Sequence, residues 1–269
     1  MLKTRLLTAF LAAGVVLGGL VTLGTVGVAI GLGAVVALAA FEWSLLCGRG
    51  PLAALFFAGL VIVLGLASLR VPLRAVMGVA LAGWLWAACE VFVFRGRPSR
   101  LWRDQGMRLF WGGLVLVPAW RGCVALKAQD PSHPWILVWL LVMVWAADSL
   151  AYFAGRSYGR HKLAPLVSPG KTWEGAAGGL LGAALVGALG AIGLSFRVEG
   201  VIEAIVLGVI VAAFSVIGDL LESKAKRLAG VKDSGRGLPG HGGILDRIDA
   251  LTAAVPIFVL GVRWLGVVR

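Results

Sequence analysis

Two polar stretches in an otherwise apolar chain hold residue types suited to phosphoryl-group chemistry. The longer one begins at Gly218-Asp219. It continues through Glu222, Ser223, Lys224, Lys226, Arg227, Lys232 and Asp233, then the run Pro239-Gly240-His241-Gly242-Gly243, to Asp246, Arg247 and Asp249. Asp246 and Asp249 stand three residues apart and so share a helix face. Bare Asp oxygens suit a hard cation such as Mg²⁺. Asp219 is expected near the C-terminal end of one membrane span, where the helix dipole disfavours an anion. Asp246 is expected to open the next span, so the two ends can meet. For Asp249, a plain preference of acids for a helix N-terminus stays open as the alternative. Lys224, Lys226, Arg227 and Lys232 can hold phosphates as point charges and forks. The glycines let the backbone approach a ligand, and their N–H groups precede a helix N-terminus, a natural anion site. Taken alone, the cationic run reads as a solvated loop and His241 as structural. Together, metal-type acids, phosphate-type cations and permissive glycines within about 30 residues point to a metal–polyphosphate ligand.

The shorter stretch runs from Asp148 through Ala151-Tyr152 and Gly155 to Ser168, Lys171, Thr172, Glu174 and Gly175. Ser168, Lys171 and Thr172 can bind phosphate oxygens, while Thr172 and Glu174 can equally cap the following helix. Asp148 is a third metal or site-orienting acid, or the partner of a loop cation. Glu42 and Glu90 read as structural partners of nearby arginines. His133 and His161 belong to no constellation.

The elements that must position these residues are membrane helices. The 269 residues are 59% hydrophobic and 14% charged, and the mean hydropathy is +0.94. Soluble domains are roughly 45–50% apolar and about 25% charged, so a water-soluble globule is excluded, and so is disorder. A span takes about 20 residues. The apolar runs cover residues 6–20, 22–41, 51–69, 73–94, 109–126, 134–154, 175–196, 201–221 and 249–268. The expected fold is therefore all-α and polytopic, with about nine transmembrane helices. The turn between the first two runs falls at Thr22 to Thr25; without it the count is eight. With the N-terminus inside, 18 Lys and Arg lie inside and 7 outside. That split places the N-terminus in the cytoplasm, the C-terminus outside, and both polar stretches on the cytoplasmic face. It also accounts for most of the net charge of +12. No nucleic-acid motif is present, so nucleic acid is not an expected partner.

Cys47, Cys89 and Cys123 form no C-x-x-C pair and suggest neither a disulfide framework nor a thiolate metal site. Gly14/Gly18 and Gly27/Gly31 have the spacing of close helix packing in lipid. Trp43, Trp102, Trp111, Trp120 and Trp264 sit near span ends, where an interfacial belt is expected. The chain reads as one membrane domain over 1–269. Helices of residues 1–130 serve packing and are a candidate dimerisation surface, and residues 148–249 form the catalytic region.

Ser223-x-x-Lys226-Arg227-x-x-x-x-Lys232-Asp233-x-Gly235-x-x-Leu238-Pro239-x-His241-Gly242-Gly243-x-x-Asp246-Arg247-x-Asp249 resembles the long signature of the phosphatidate cytidylyltransferases, also called CDP-diacylglycerol synthases. The stretches Asp148…Ala151-Tyr152 and Ser168-Pro169-x-Lys171-Thr172-x-Glu174-Gly175 resemble that family too. A minor departure is Ala225, where an aliphatic residue is usual. The resemblance implies that CTP and phosphatidic acid give CDP-diacylglycerol and pyrophosphate, with Mg²⁺ and room for a second cation. On that reading Asp219, Asp246, Lys226 and Arg227 are catalytic. Asp219, Asp246 and Asp249 hold metal. Asp148, Ser168, Lys171, Thr172, Glu174, Ser223, Lys232, Asp233, His241, Gly242, Gly243 and Arg247 bind substrate. It also implies a homodimer in a bacterial inner membrane, among membrane lipid. Two other readings stay open: a nucleotide-dependent lipid kinase, and an ion-coupled transporter using Asp148, Asp219 and Glu90. Transporters place their polar groups near midplane, whereas these residues crowd one face.

Overall fold

The computed structural model describes residues 13–94, 96, 98–129, 134–194, 196–235 and 242–266. Ten helices and one hairpin follow in order. They are α1 (Ala13–Thr22), α2 (Thr25–Leu46), α3 (Pro51–Ser68), α4 (Leu73–Phe92), the short α5 (Arg100–Arg103), α6 (Gln105–Gln129), α7 (Trp135–Tyr158), β1 (Lys162–Ala164), β2 (Ser168–Thr172), α8 (Trp173–Gly193), α9 (Val198–Leu228) and α10 (Leu245–Trp264). The chain is a predominantly helical, polytopic membrane protein. Among the described residues, seven helices are long and apolar enough to cross a membrane: α2, α3, α4, α6, α7, α8 and α9. The break between α1 and α2 falls at Leu23-Gly24, inside the expected turn.

α10 differs from those seven. It carries Asp246, Arg247 and Asp249 at its start and Arg263 near its end. Yet Ala253, Ala254, Val255, Phe258, Val259 and Val262 are wholly buried. A helix enclosed by other helices need not match lipid, so its charges are tolerated where protein surrounds them.

α7 and α8 approach most closely where α8 lacks side chains. A Cβ on Gly178 would stand 2.5 Å from the Ala154 Cβ, and one on Gly182 would stand 2.9 Å from the Ala146 carbonyl oxygen. Close backbone approach through small residues is the usual means of helix association in lipid. The expected pairs do not play this role: at Gly14, Gly18 and Gly31 nothing lies within 4 Å of where a Cβ would stand. Spacing alone cannot say which face of a helix meets a neighbour.

Two expectations about elements change. The all-α reading missed the hairpin. β1 and β2 pair antiparallel, Lys162 with Thr172 and Ala164 with Ser168, around the buried Val167. Five residues make a strand too short to show alternation in the sequence. The second change concerns α9, which runs to Leu228 rather than ending near residue 221. Its last turns bury Glu222, Ser223 and Lys224 against protein, and Lys226 forms an i, i+4 ion pair with Glu222. Those turns need no lipid-matching side chains, so hydropathy cannot find them. Asp219 therefore lies inside a helix, nine residues from its end, and the argument from an unfavourable terminal dipole does not apply to it. Lys224, Lys226 and Arg227 are helical residues, not loop residues.

Candidate active site

A cavity of about 400 Å³ lies between the C-terminal half of α7, the hairpin, the start of α8 and the middle of α9. On α7, Asp148, Ala151, Tyr152, Gly155 and Arg156 line it. The spacing of three and four keeps them on one helical face. Lys171 enters from β2 and Asp219 from α9, and their side chains meet at 2.7 Å. Ser223 donates its hydroxyl to the other oxygen of Asp219 at 3.2 Å. Asp148 lies within electrostatic reach of both Asp219 and Lys171, and Asp249 of Asp219, Lys171 and Lys226. Three acids from three helices thus share the field of one ammonium, which Asp219 alone contacts. Farther along α7, Arg156 donates to the Tyr152 hydroxyl at 2.8 Å.

The floor of this cavity is held by capping interactions. Thr172 accepts from the Gly175 N–H at 3.1 Å and is the N-cap of α8. Glu174 accepts from the Arg160 and His161 N–H groups and meets the His161 Nδ1 at 2.6 Å. These contacts tie α8 to the strand entering the hairpin. Of the two readings open for Thr172 and Glu174, the geometry gives Thr172 the cap and gives Glu174 a brace across the hairpin. His161, which belongs to no constellation in the sequence, is exposed and is the partner of that brace. Ser168 opens β2, half-buried. Arg227 donates from Nε to the Val167 carbonyl at 3.2 Å, and its side chain is exposed.

A second centre adjoins the first across α9. Lys226 contacts Glu222 and also the Asp246 Oδ1 at 2.6 Å. The Asp246 Oδ2 accepts from the N–H groups of Gly243 at 2.7 Å and Ser234 at 3.1 Å. Glu42, near the C-terminal end of α2, accepts from the Ser234 hydroxyl, the Ile244 N–H and the Leu245 N–H at 2.9–3.0 Å. Two carboxylates therefore staple residue 234 to residues 243–245 and satisfy the first amides of α10, which would otherwise be orphaned. Gly242 has φ +80°, and a Cβ there would stand 2.5 Å from the Asp246 Oδ2, so both conformation and space require glycine. Lys232 and Asp233 are exposed just before this staple, and Arg247 is exposed just after it. His241 lies outside the described residues.

Several expectations are corrected by these contacts. Among the described residues Glu42 has no arginine partner; it anchors the loop. Glu90 pairs with Lys224, not with an arginine, at 2.8 Å. Lys224 is fully buried, also donates to the Glu90 carbonyl at 3.0 Å, and lies over the rings of Trp102 and Phe94. That ammonium is enclosed and cannot reach a phosphate. Asp219 and Asp246 each already hold a lysine, Lys171 and Lys226 respectively. The sequence reading did not include Glu42, Glu222 or Arg156 among the functional residues. For Glu42 and Glu222 the available signal was a carboxylate inside or beside an apolar run, which is costly unless partnered.

Among the described residues, no group of three His, Cys, Asp or Glu side chains is placed to hold one ion. Mg²⁺ with a nucleotide does not require such a cage, since one or two carboxylates plus substrate phosphates suffice. The oxygen-only donors fit, and the Lys171 and Lys226 ammoniums stand on Asp219 and Asp246 as a cation would.

The comparisons with known proteins agree with one another. A family model described as the cytidylyltransferase family matches residues 3–265. A phosphatidate cytidylyltransferase of Pseudomonas aeruginosa is 42% identical over 263 residues, covering 96% of each chain. One from Haemophilus influenzae is 38% identical over 281 residues, covering 96% of this chain and 97% of its own. One from Brucella abortus is 41% identical over 187 residues, 66% of this chain.

Proposed function

The chain belongs to the cytidylyltransferase family, and from that premise we propose that it transfers the cytidylyl group of CTP to phosphatidic acid. The observation that carries the reading at the level of the site is the cavity that gathers Asp148, Lys171 and Asp219 from three elements. Both full-length relatives bear the name of this activity, and neither a lipid kinase nor a transporter is favoured.

A phosphate oxygen of phosphatidic acid attacks the α-phosphorus of CTP. The new P–O–P bond forms as the bond from the α-phosphorus to the bridging oxygen breaks, and pyrophosphate leaves with that electron pair. The attacking oxygen is already ionised near neutral pH, so no strong base is required. The protein's task is to position two anions and offset their repulsion. Lys171 and the exposed Arg227 and Lys232 supply positive charge for the CTP phosphates. Lys226 links Asp246 to the helix that carries Asp219. Asp219 and Asp246, the latter exchanging the Lys226 ammonium for the ion, would hold Mg²⁺ together with the substrate phosphates, with Asp249 and Asp148 supporting the set. Bound there, the ion would offset the charge that gathers on the departing pyrophosphate.

This reading includes a chain of nine spans in a bacterial inner membrane, with the N-terminus and the cavity on the cytoplasmic side, and a homodimer by family resemblance. The deciding experiment supplies purified protein in detergent with CTP, phosphatidic acid and Mg²⁺. The expected products are CDP-diacylglycerol and pyrophosphate in equal amounts. Formation of a nucleoside diphosphate and a newly phosphorylated lipid would replace the reading with the kinase.

A further inference from the structure

A reaction that joins two phosphates needs two cationic positions, and the cavity has two lining cations. Lys171 is one, and it is engaged with Asp219 at 2.7 Å. Arg156 is the other. Tyr152 holds it by a hydrogen bond to the phenol oxygen at 2.8 Å and by its ring, whose centre lies 6.0 Å from the guanidinium carbon, and among the described residues it has no carboxylate partner. The guanidinium is a planar fork that matches a phosphate dianion through two parallel hydrogen bonds.

The position of Arg156 on α7 separates it from the nucleotide side. At about 100° per residue, it lies roughly 80° around the helix from Asp148 and roughly 60° from Phe153. Asp148 faces the cavity, whereas Phe153 is 61% exposed on the outer surface of the bundle. Tyr152, Tyr158 and Trp173 are likewise exposed around this end of α7 and the start of α8, an aromatic rim of the kind found at the membrane interface. Side chains on a helix lean toward its N-terminus, and the bond to Tyr152, one turn back, shows that Arg156 does so. Its guanidinium therefore lies at the rim, on the wall of the cavity that Tyr152 and Asp148 also line.

We propose that Arg156, oriented by Tyr152, binds the phosphomonoester of the lipid substrate, which enters past Phe153 while Lys171 receives the nucleotide. This inference rests on the proposed function and adds the lipid phosphate site to it. The ligand class is a dianionic phosphate on a diacylated glycerol, held at the shoulder between membrane and cavity.

Steady-state kinetics in mixed micelles test it, with phosphatidic acid and CTP varied separately for the wild type, Arg156→Ala, Arg156→Lys and Tyr152→Phe. Arg156→Ala should raise KM for phosphatidic acid about 10- to 100-fold, the loss of a charge-assisted pair. KM for CTP should stay within about two-fold. Arg156→Lys should recover part of the lipid KM, since it keeps the charge without the fork. Tyr152→Phe should raise the lipid KM less than Arg156→Ala. An unchanged lipid KM in Arg156→Ala, or an equal rise in both KM values, overturns the proposal. If Arg156→Ala does not fold, Arg156→Lys decides, and a folded Arg156→Lys with wild-type lipid KM and a raised CTP KM also overturns it. A wild-type chain that forms no CDP-lipid in this assay refutes the proposed function and the inference with it. An active wild type with an indifferent Arg156 refutes the inference alone.

Discussion

Replacing Lys224 by Met separates a buried structural charge from a substrate-binding one. The ammonium is wholly enclosed, lies 2.8 Å from the Glu90 Oε2, and sits 4.7 Å and 5.2 Å from the ring centres of Trp102 and Phe94. Met keeps most of the stem and removes the charge. Breaking a buried pair by removing one partner costs about 3–5 kcal/mol. The Glu90 side chain keeps 17% exposure, so water can reach the stranded carboxylate and the cost falls toward the lower end, about 3 kcal/mol. The lost ring contacts add roughly 1 kcal/mol. With an unfolding entropy of about 2.1 cal/mol/K per residue over 269 residues, the melting temperature should fall by about 7 °C. Thermal unfolding in detergent reads this directly. The double variant Glu90→Gln with Lys224→Met should recover most of the loss, because no lone charge remains. CDP-lipid synthesis well below the melting temperature should persist in the double variant. A Lys224→Met protein that melts with the wild type yet no longer uses CTP would refute the reasoning and return Lys224 to the phosphate site.

Asp219→Asn should lower the rate by at least ~10²-fold with little change in melting temperature, the scale of one preorganised electrostatic contact. Asp246→Asn should lower both, because it also releases Lys226 and the staple at Ser234 and Gly243; wild-type rates and wild-type Mg²⁺ dependence in both variants would dismiss the acid set. Glu42→Gln replaces one of two oxygens that accept from three donors, so stability should fall by about 2 kcal/mol and the rate with it; an unaltered melting curve would show that the loop needs no such anchor. Cysteines placed at Gly170 and Lys232 should label from the cytoplasm only, and labelling from opposite sides would separate the two polar stretches. Gly170 has open space around it, while a side chain at Gly235 would collide with Glu42. Burial pushes the Cys47 thiol up to about 11 against the pull of Arg108 and Arg49, so it should stay silent in that assay, while the exposed Cys89 must be replaced.

The membrane class, the helix runs and the two polar stretches were legible in the sequence, because each depends on quantities that add along the chain. Twenty apolar residues match a bilayer wherever they stand, and a long spaced motif needs no partner to be read. Partner choice does not add in this way. Gly14 and Gly18 have the same spacing as glycines at a packed seam, yet the seam runs along Gly178 and Gly182, where α7 lies close. Lys224, Lys226 and Arg227 are near neighbours of the same charge in sequence. The helix turns them in different directions: one is enclosed by aromatic rings and Glu90, one bridges two carboxylates, and one remains exposed. Glu42 meets Leu245 across 203 positions, a contact decided when α2 packs beside α10. A charge's role follows from the nearest opposite charge and from what excludes water around it. Both are properties of the packed helices, and only the tertiary structure supplies them.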